Sequence, residues 1–247
     1  MHVFIDLIKD KSMSKGVILF GSEGSLGSQL KNILINENEF QKLIFIDRKL
    51  KDENISSTKN ITQIFLNDIF EKDNFNNLKL KILSSLKQNS GDKEKINLLM
   101  ISTIGGYIGG KKFWEYDICD WKNIFEKNFF VNICIAKLII DLSEDLDFSE
   151  IGMVFITSYL TKKIEKDKSL YLISKKALNK LIEISYVEIE HKNIYLSGIA
   201  PYLLDTKQNR EWIEDEKKLI TSMQIYEIIK IFYKNKHKYA GEIFYIK

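Results

Sequence analysis

Residues 16–28 of the chain read GVILFGSEGSLGS. The apolar residues 17–20 predict a short buried strand. Gly21, Gly24 and Gly27 follow this strand directly and predict a tight turn into a helix. Glycines at such a turn let the backbone approach a pyrophosphate, whose charge then lies at the positive end of the helix. The alternative is an ordinary glycine-rich loop, but the position directly after a strand favours a dinucleotide-binding motif.

The same pattern, a short β-branched or aromatic run followed by a longer amphipathic stretch, continues to the C-terminus. This alternation is typical of an α/β protein with a parallel sheet. It predicts a single Rossmann-fold domain over residues 1–247, with a doubly wound, mostly parallel, seven-stranded sheet and helices on both faces. The predicted strands are residues 17–20, 43–46, 64–66, 96–101, 153–157, 194–197 and 242–246. The predicted helices are residues 25–36, 72–88, 119–142, 170–190 and 221–234.

The composition excludes several classes of protein. With 247 residues, 45% of them apolar, the chain can bury one substantial core. The 37 basic and 34 acidic side chains give a formal charge of only +3 and form no basic stripe, so we expect neither nucleic acid nor an anionic membrane as a partner. Cys119 and Cys134 lack the spacing of a metal site, and no apolar stretch is long enough for a membrane span. These features predict a cytoplasmic protein without a metal.

An acidic residue ends the second predicted strand. Asp47 lies 26 residues after Gly21, close to the position from which a carboxylate accepts hydrogen bonds from an adenosine ribose. A carboxylate there repels a 2′-phosphate and therefore favours NAD(H) over NADP(H). Arg48 and Lys49 follow directly and leave NADP(H) as the second candidate cofactor. A solvated strand end with surface charges is the alternative for these residues.

A tyrosine and a lysine stand four residues apart in the predicted helix 170–190. This spacing places Tyr171 and Lys175 on one face of the helix. A lysine close to a tyrosine stabilises the phenolate and lowers the pKa of the tyrosine, which can then exchange a proton near neutral pH. Surface positions for both residues are the alternative. Ser158, 13 residues before Tyr171, favours the site, because a hydroxyl at the carboxyl end of a parallel strand faces the ligand crevice.

Together with Asn128 in the stretch WKNIFEKN at residues 121–128, these motifs resemble those of the short-chain dehydrogenases/reductases. The resemblance extends from Gly16 almost to Lys247. It implies an NAD(P)(H)-dependent oxidoreductase that transfers a hydride between the nicotinamide and a small carbonyl or alcohol substrate.

The resemblance also implies a role for each residue of this set. Tyr171 is similar to the acid/base that exchanges a proton with the substrate oxygen. Lys175 resembles the lysine that binds the nicotinamide ribose and lowers the pKa of the tyrosine. Ser158 is similar to the serine that hydrogen-bonds the substrate oxygen, and Asn128 resembles the asparagine that holds a water in the proton relay.

The motifs imply a cofactor-binding set that comes from six regions of the sequence. Its members are Gly21, Ser22, Glu23, Gly24, Ser25, Leu26, Gly27, Asp47, Arg48, Asp68, Ile69, Ser102, Thr103, Gly105, Tyr171, Lys175, Pro201, Leu204 and Thr206. The chain departs from the usual family pattern at several positions. Phe20 replaces a threonine before the first loop, residues 102–105 read STIG where many members have Asn-Asn-Ala-Gly, and Tyr202 replaces the glycine after Pro201.

The substrate side carries a more local resemblance. Residues 105–110 and 204–210 look like the corresponding stretches of quinonoid dihydropteridine reductase, with Tyr107 in place of a tryptophan that flanks the pterin. The implied substrate-binding residues are Tyr107, Ser158 and Tyr202. A dihydropteridine reductase-like enzyme is therefore one alternative function, and a non-catalytic, dinucleotide-binding regulatory or scaffold protein is another.

Two further expectations concern assembly and the N-terminus. The predicted helix 119–142 is apolar on more than one face, which favours a homodimer or homotetramer. Met13 resembles a natural start for the family, so we expect residues 1–12 to be dispensable for cofactor binding.

Overall fold

The computed structural model describes residues 13–49, 60–88, 95–146, 148–189, 193–211, 213 and 219–247. In these ranges seven parallel strands form one sheet in the order β3-β2-β1-β4-β5-β6-β7. The strands are Met13–Phe20 (β1), Lys42–Asp47 (β2), Asn60–Phe65 (β3), Lys95–Ser102 (β4), Phe148–Ile156 (β5), Ile194–Pro201 (β6) and Ile243–Ile246 (β7). The predicted seven-stranded α/β fold is confirmed.

Helices pack on both faces of the sheet. They are Ser25–Asn36 (α1), Lys72–Lys87 (α2), Ile118–Phe125 (α3), Val131–Asp145 (α4), Ser169–Glu188 (α5), Lys207–Arg210 (α6), Ser222–Lys234 (α7) and Lys236–Tyr239 (α8). Alternate residues of β1 point to opposite faces: Ile18 packs with α2, α4 and α5, whereas Leu19 packs with α1 and α7. None of the helices formed by the described residues has the length and apolar character needed to span a bilayer.

The order of the strands fixes where a ligand can bind. β1 pairs with β2 on one side and with β4 on the other, so the chain changes direction across the sheet between these two neighbours. In open parallel sheets, a crevice forms at this point outside the carboxyl ends of the strands. The loops after β1, β2 and β4 therefore border one cleft.

Several boundaries differ from the sequence prediction. β1 begins at Met13 because its polar first residues pair in register with β4. β3 begins at Asn60 instead of residue 64, and β5 ends at Ile156 instead of residue 157. Residue 190 of the fourth predicted helix and the N-terminal residues 1–12 lie outside the described residues.

The predicted helix 119–142 is interrupted by a π turn. Residues Glu126–Phe130 form this turn between α3 and α4. A π turn inserts one extra residue into a helix and releases backbone groups from the regular ladder. Apolar periodicity did not reveal it, because apolar residues recur at helical spacing on both sides of the turn.

The turn between β1 and α1 depends on close backbone approach. Gly21 has φ of +79°, and its carbonyl oxygen accepts a hydrogen bond from the Gly24 N–H at 3.1 Å. A Cβ atom at Gly27 would lie only 1.8 Å from the Gly21 oxygen. The first turn of α1 therefore packs directly on the loop backbone, which no larger residue at position 27 permits.

We expect Gly27→Ala to lower the free energy of unfolding by about 3 kcal/mol, because the added methyl group must displace a backbone carbonyl. Gly24→Ala is the matched control, since a Cβ there would lie 3.3 Å from the same oxygen and Gly24 has φ of −69°. Urea unfolding of the three proteins measures the difference. Equal stability of the two variants would contradict the close approach.

Candidate active site

Three of the four predicted catalytic side chains meet at the carboxyl end of β5. Ser158 follows this strand, and its hydroxyl hydrogen-bonds to that of Tyr171 in the first turn of α5. Lys175 lies one turn further along the same helix, and its Nζ donates to the Ile156 carbonyl at 2.8 Å. The four-residue spacing places the tyrosine and the lysine on the face of α5 that covers this strand end.

Asn128 ties the loop after β4 to the same helix. It is fully buried at the centre of the π turn. Its Oδ1 accepts from the Gly106 N–H at 2.7 Å, and its Nδ2 donates to the Gly106 carbonyl at 3.0 Å and to the Ser174 Oγ at 2.9 Å. The Ser174 hydroxyl donates in turn to the Tyr171 carbonyl. The side chain of Asn128 thus fixes loop and helix relative to one another.

A second buried asparagine supports the first. Asn132 donates from Nδ2 to the Asn128 carbonyl at 3.0 Å, and its Oδ1 accepts from the Ser102 hydroxyl at 2.7 Å. Sequence reasoning missed Asn132 and Ser174. A signal was present, because an asparagine four residues after Asn128 interrupts an apolar helix face.

Gly105 allows the two polar side chains to approach the loop backbone. A Cβ atom at this position would lie 2.9 Å from both Asn128 Oδ1 and Lys175 Nζ. Any side chain at position 105 would therefore separate the lysine from the asparagine. Glycine is therefore required at position 105, because Asn128 and Lys175 leave no room for a Cβ atom. Gly105 itself is exposed.

Burial dominates the electrostatics of the site. It lowers the pKa of Lys175 to about 8. It also raises the pKa of Tyr171, against the opposing effects of the Ser158 hydrogen bond and the positive charge of Lys168. The phenol is therefore protonated at neutral pH, and Lys168 is the cation that lowers its pKa, whereas the sequence predicted this effect for Lys175.

A cleft of about 340 Å³ lies over the carboxyl ends of β1, β2 and β4, and Gly105, beside Lys175, is one of its lining residues. The predicted cofactor residues that line it are Gly21, Glu23, Gly24, Asp47, Arg48, Thr103 and Gly105. Lys49, which the sequence analysis connected with NADP(H), also lines it. Sequence reasoning did not include the five other lining residues, namely Leu66, Ile104, Glu126, Lys127 and Val131. One feature of the cleft fits a dinucleotide. The N-cap of α1 is Gly24, and no side chain of the described residues caps this positive end of the helix, where a pyrophosphate can bind.

The remaining predicted residues of the first loop lie below the cleft surface or in α1. The Ser22 side chain is fully buried, and its Oγ has no hydrogen-bond partner among the described residues. Ser25, Leu26 and Gly27 form the first turn of α1, where Leu26 is buried against the sheet. The Thr103 hydroxyl bonds to the Gly21 carbonyl and so braces the loop from the β4 side.

The other predicted cofactor residues are not among those that line the cleft. Asp68 is exposed and its Oδ1 accepts from the Phe70 N–H, while Ile69 is buried in the core. Pro201 ends β6. Leu204 forms an isolated bridge with residue 220, and Thr206 caps the short helix α6 with its hydroxyl.

Tyr107 and Tyr202, the predicted substrate-binding tyrosines, contact other aromatic and charged side chains. The ring of Tyr107 contacts that of Tyr171 edge-on, with centroids 5.1 Å apart. The Tyr202 hydroxyl donates to Glu165 Oε1 at 3.3 Å, and Lys168 pairs with Glu165 Oε2 at 2.6 Å. The pair Glu165–Lys168 was not predicted from the sequence, since both residues lie in a run of surface-like charges.

The loops after β4 and β5 contact one another through a backbone hydrogen bond. The Gly110 N–H of the loop after β4 donates to the carbonyl of Asp167 in the loop after β5, at 2.8 Å. Both residues have positive φ, 93° and 58°. Within the described ranges, no group of three or more His, Cys, Asp or Glu side chains is arranged to hold a metal ion.

The chain is similar to known proteins over nearly its whole length. The sequence model of the short chain dehydrogenase family matches residues 21–217. None of the curated protein sequences matches the chain.

Solved structures share the fold at low identity. ElxO with NADP bound is 18% identical, with a TM-score of 0.79 over 95% of this chain and 97% of that one. 4-Hydroxyisoleucine dehydrogenase complexed with NADH is 17% identical, with a TM-score of 0.73 over 94% and 96%. Aldohexose dehydrogenase of Thermoplasma acidophilum is 18% identical, with a TM-score of 0.72 over 95% and 92%. The family match and the common fold lead to one conclusion: the chain belongs to the short-chain dehydrogenases and is an NAD(P)-dependent oxidoreductase.

Proposed function

We propose that the protein transfers a hydride between a nicotinamide cofactor and a small carbonyl or alcohol substrate, with Tyr171 as the acid/base. The observation that carries this proposal is the meeting of Ser158, Tyr171 and Lys175 at the end of β5, next to the loop that Asn128 holds. The bound nicotinamide supplies or accepts the hydride.

Each side chain then has a role that its surroundings support. In carbonyl reduction, Tyr171 donates its phenolic proton to the substrate oxygen, which its raised pKa allows at neutral pH. Ser158 orients that oxygen by a hydrogen bond. Lys175 binds the nicotinamide ribose, and Asn128 keeps the Gly105–Gly106 backbone in place.

The glycine loop and Asp47 hold the adenosine half of the cofactor in this proposal. Both oxygens of the Asp47 carboxylate accept backbone N–H groups, from Glu23 at 2.9 Å and from Lys49 at 3.0 Å. These bonds orient the carboxylate at the cleft, where its charge favours a ribose diol over a 2′-phosphate. Arg48 and Lys49 also line the cleft and oppose this preference. We propose NAD(H) as the preferred cofactor.

Tyr107 and Tyr202 form the substrate wall in this proposal. The exposed ring of Tyr107, edge-on to Tyr171, offers an aromatic surface beside the reacting atoms. An aromatic ring in this position favours a planar substrate, so quinonoid dihydropterin remains the second candidate substrate.

Tyr171→Phe should reduce hydride transfer by a factor of about 10² to 10⁴, because it removes the acid/base and leaves the ring in place. NADH binding and the fold should be unchanged. The measurement is the oxidation of NADH, followed by the absorbance of the reduced nicotinamide. The substrates are a panel of small ketones, aldehydes and quinonoid dihydropterin. Tyr186→Phe, on an exposed part of the same helix, is the control and should retain the wild-type rate. A wild-type rate in Tyr171→Phe would refute the mechanism.

Calorimetric titration with NADH and with NADPH at one salt concentration tests the cofactor preference. We expect the wild-type protein to bind NADH more tightly. Asp47→Ser should reduce the ratio of the dissociation constant of NADPH to that of NADH by about tenfold, because it removes the charge that repels the 2′-phosphate. Tighter binding of NADPH by the wild type would transfer the decisive role to Arg48 and Lys49.

The burial of Lys175 predicts a pH dependence of stability. Its pKa falls from the ordinary 10.5 to about 8 on folding, so between these values the unfolded chain binds more protons than the folded chain. The free energy of unfolding of the wild type should therefore rise with pH across this window, by up to about 3 kcal/mol relative to Lys175→Met. Urea unfolding of both proteins at several pH values measures the difference, and parallel pH profiles would contradict it.

A further inference from the structure

The segment 165–168, at the end of the loop between β5 and α5, contacts the loops after β4 and β6. Glu165 accepts a hydrogen bond from the Tyr202 hydroxyl on Oε1, at 3.3 Å. Its other oxygen, Oε2, pairs with Lys168 at 2.6 Å, and Lys163 Nζ lies 3.9 Å from Oε1. Only 23% of the Glu165 side chain is exposed. The two oxygens have different hydrogen-bond partners, which fixes the direction of the carboxylate.

The ring of Tyr202 has a second contact. It packs edge-on against the ring of Tyr159, with centroids 5.6 Å apart. Tyr159 directly follows Ser158, whose hydroxyl bonds to that of Tyr171. Tyr202 is therefore held by its ring and by its hydroxyl, and the ring contact is with the neighbour of a predicted catalytic residue.

The same segment also holds the loop that carries Tyr107. The Asp167 carbonyl accepts the Gly110 N–H at 2.8 Å, and Asp167 has φ of +58°. This conformation is uncommon for a residue with a side chain, so contacts such as the bond to Gly110 must stabilise it. A Cβ atom at Gly109 would overlap the Tyr107 hydroxyl and lie 3.2 Å from the Asp167 oxygen. Gly109 thus lets the Tyr107 hydroxyl lie against the loop backbone.

Both tyrosines of the substrate wall are thereby tied to the segment 165–168. Tyr107 also contacts the ring of Tyr171 directly, whereas the hydroxyl of Tyr202 depends on Glu165 alone among the hydrogen bonds of the described residues. The position of Tyr202 is therefore the one that a change at Glu165 alters.

We propose that Glu165 is a positioning residue that limits the size of the substrate. By holding the Tyr202 hydroxyl, it keeps the space beside Tyr171 narrow, so that a small or flat carbonyl compound enters and one with a bulky branched substituent is disfavoured. The proposal rests on the proposed function, because it takes Tyr202 as part of the substrate wall.

Three variants separate the bond to Tyr202 from the other contacts of the loop. Glu165→Gln retains an oxygen that can accept the Tyr202 hydroxyl and removes the charge that pairs with Lys168. Glu165→Leu removes both interactions. Tyr202→Phe removes only the hydroxyl and retains the ring against Tyr159.

The probes are diacetyl and its analogue with a tert-butyl group in place of one methyl group. The quantity to measure is the ratio of kcat/KM for the bulky diketone to kcat/KM for diacetyl, at saturating NADH. Glu165→Leu and Tyr202→Phe should each raise this ratio by about fivefold, chiefly through the KM of the bulky diketone. The double variant should raise it by about the same fivefold, because both changes remove one contact.

Two further variants complete the set. Glu165→Gln should keep the ratio within about twofold of the wild type, because the acceptor for the Tyr202 hydroxyl remains. Glu183→Leu is the matched control, since Glu183 pairs with Lys180 at the same three-residue spacing on an exposed part of α5. It should leave the ratio unchanged.

A purely structural role of Glu165 gives a different result. It would lower kcat/KM for both diketones in equal proportion and leave the ratio constant, which would overturn the proposal. An effect on the acid/base through Lys168 also acts on both diketones alike and cancels in the ratio. Multiplication of the two single effects in the double variant would contradict a shared contact and so would overturn the proposal as well.

Hydrogen exchange measures the contact without a substrate. In Glu165→Leu, the backbone N–H groups of residues 202–205 should exchange roughly threefold faster, while those of residues 172–180 keep the wild-type rate and show that the variant is folded. Unchanged exchange at residues 202–205 would refute the tie between Glu165 and this loop. If the wild type reduces neither diketone, the proposed function fails, and the exchange still decides whether Glu165 holds the loop.

Discussion

The buried amide of Asn128 is the interaction on which the active-site end of the molecule depends. It satisfies both polar groups of the Gly106 backbone and the hydroxyl of Ser174, and these partners belong to the loop after β4 and to α5. Buried polar groups are costly when unpaired, so the loop and the helix can adopt only the arrangement that pairs all of them. That arrangement brings Gly105 against Lys175 and keeps Tyr171 beside Ser158.

The π turn belongs to the same constraint. An uninterrupted α-helix over residues 118–145 would have one residue fewer in the turn at Asn128. With the extra residue, the Asn128 carbonyl accepts the side chain of Asn132, which in turn accepts the hydroxyl of Ser102 at the end of β4. A chain of buried hydrogen bonds therefore runs from Ser102 at the end of β4 through Asn132 and Asn128 to Ser174 in α5.

Two buried lysines, Lys31 and Lys175, have partners of different charge. Lys31 pairs with a carboxylate at 2.8 Å, which compensates its charge. Lys175 donates a hydrogen bond to the neutral carbonyl of Ile156, and burial lowers its pKa to about 8. The first arrangement favours a permanent charge beneath the loop, and the second favours an amine that can respond to a bound ribose and to the neighbouring phenol.

The sequence by itself predicted the strands and the glycine turn, because periodicity and short motifs report local backbone preference. The family resemblance grouped Tyr171, Lys175, Ser158 and Asn128 as the predicted catalytic set. The sequence placed Glu23 in the cofactor loop, but only the tertiary structure decided that the carboxylate of this residue faces Lys31 while its N–H faces Asp47. The same holds for the pair Glu165–Lys168 and for the bond between Ser102 and Asn132, 30 residues apart. Polar pairing of this kind depends on which elements meet across the fold and how deeply they are buried, and no local pattern in the chain records either quantity.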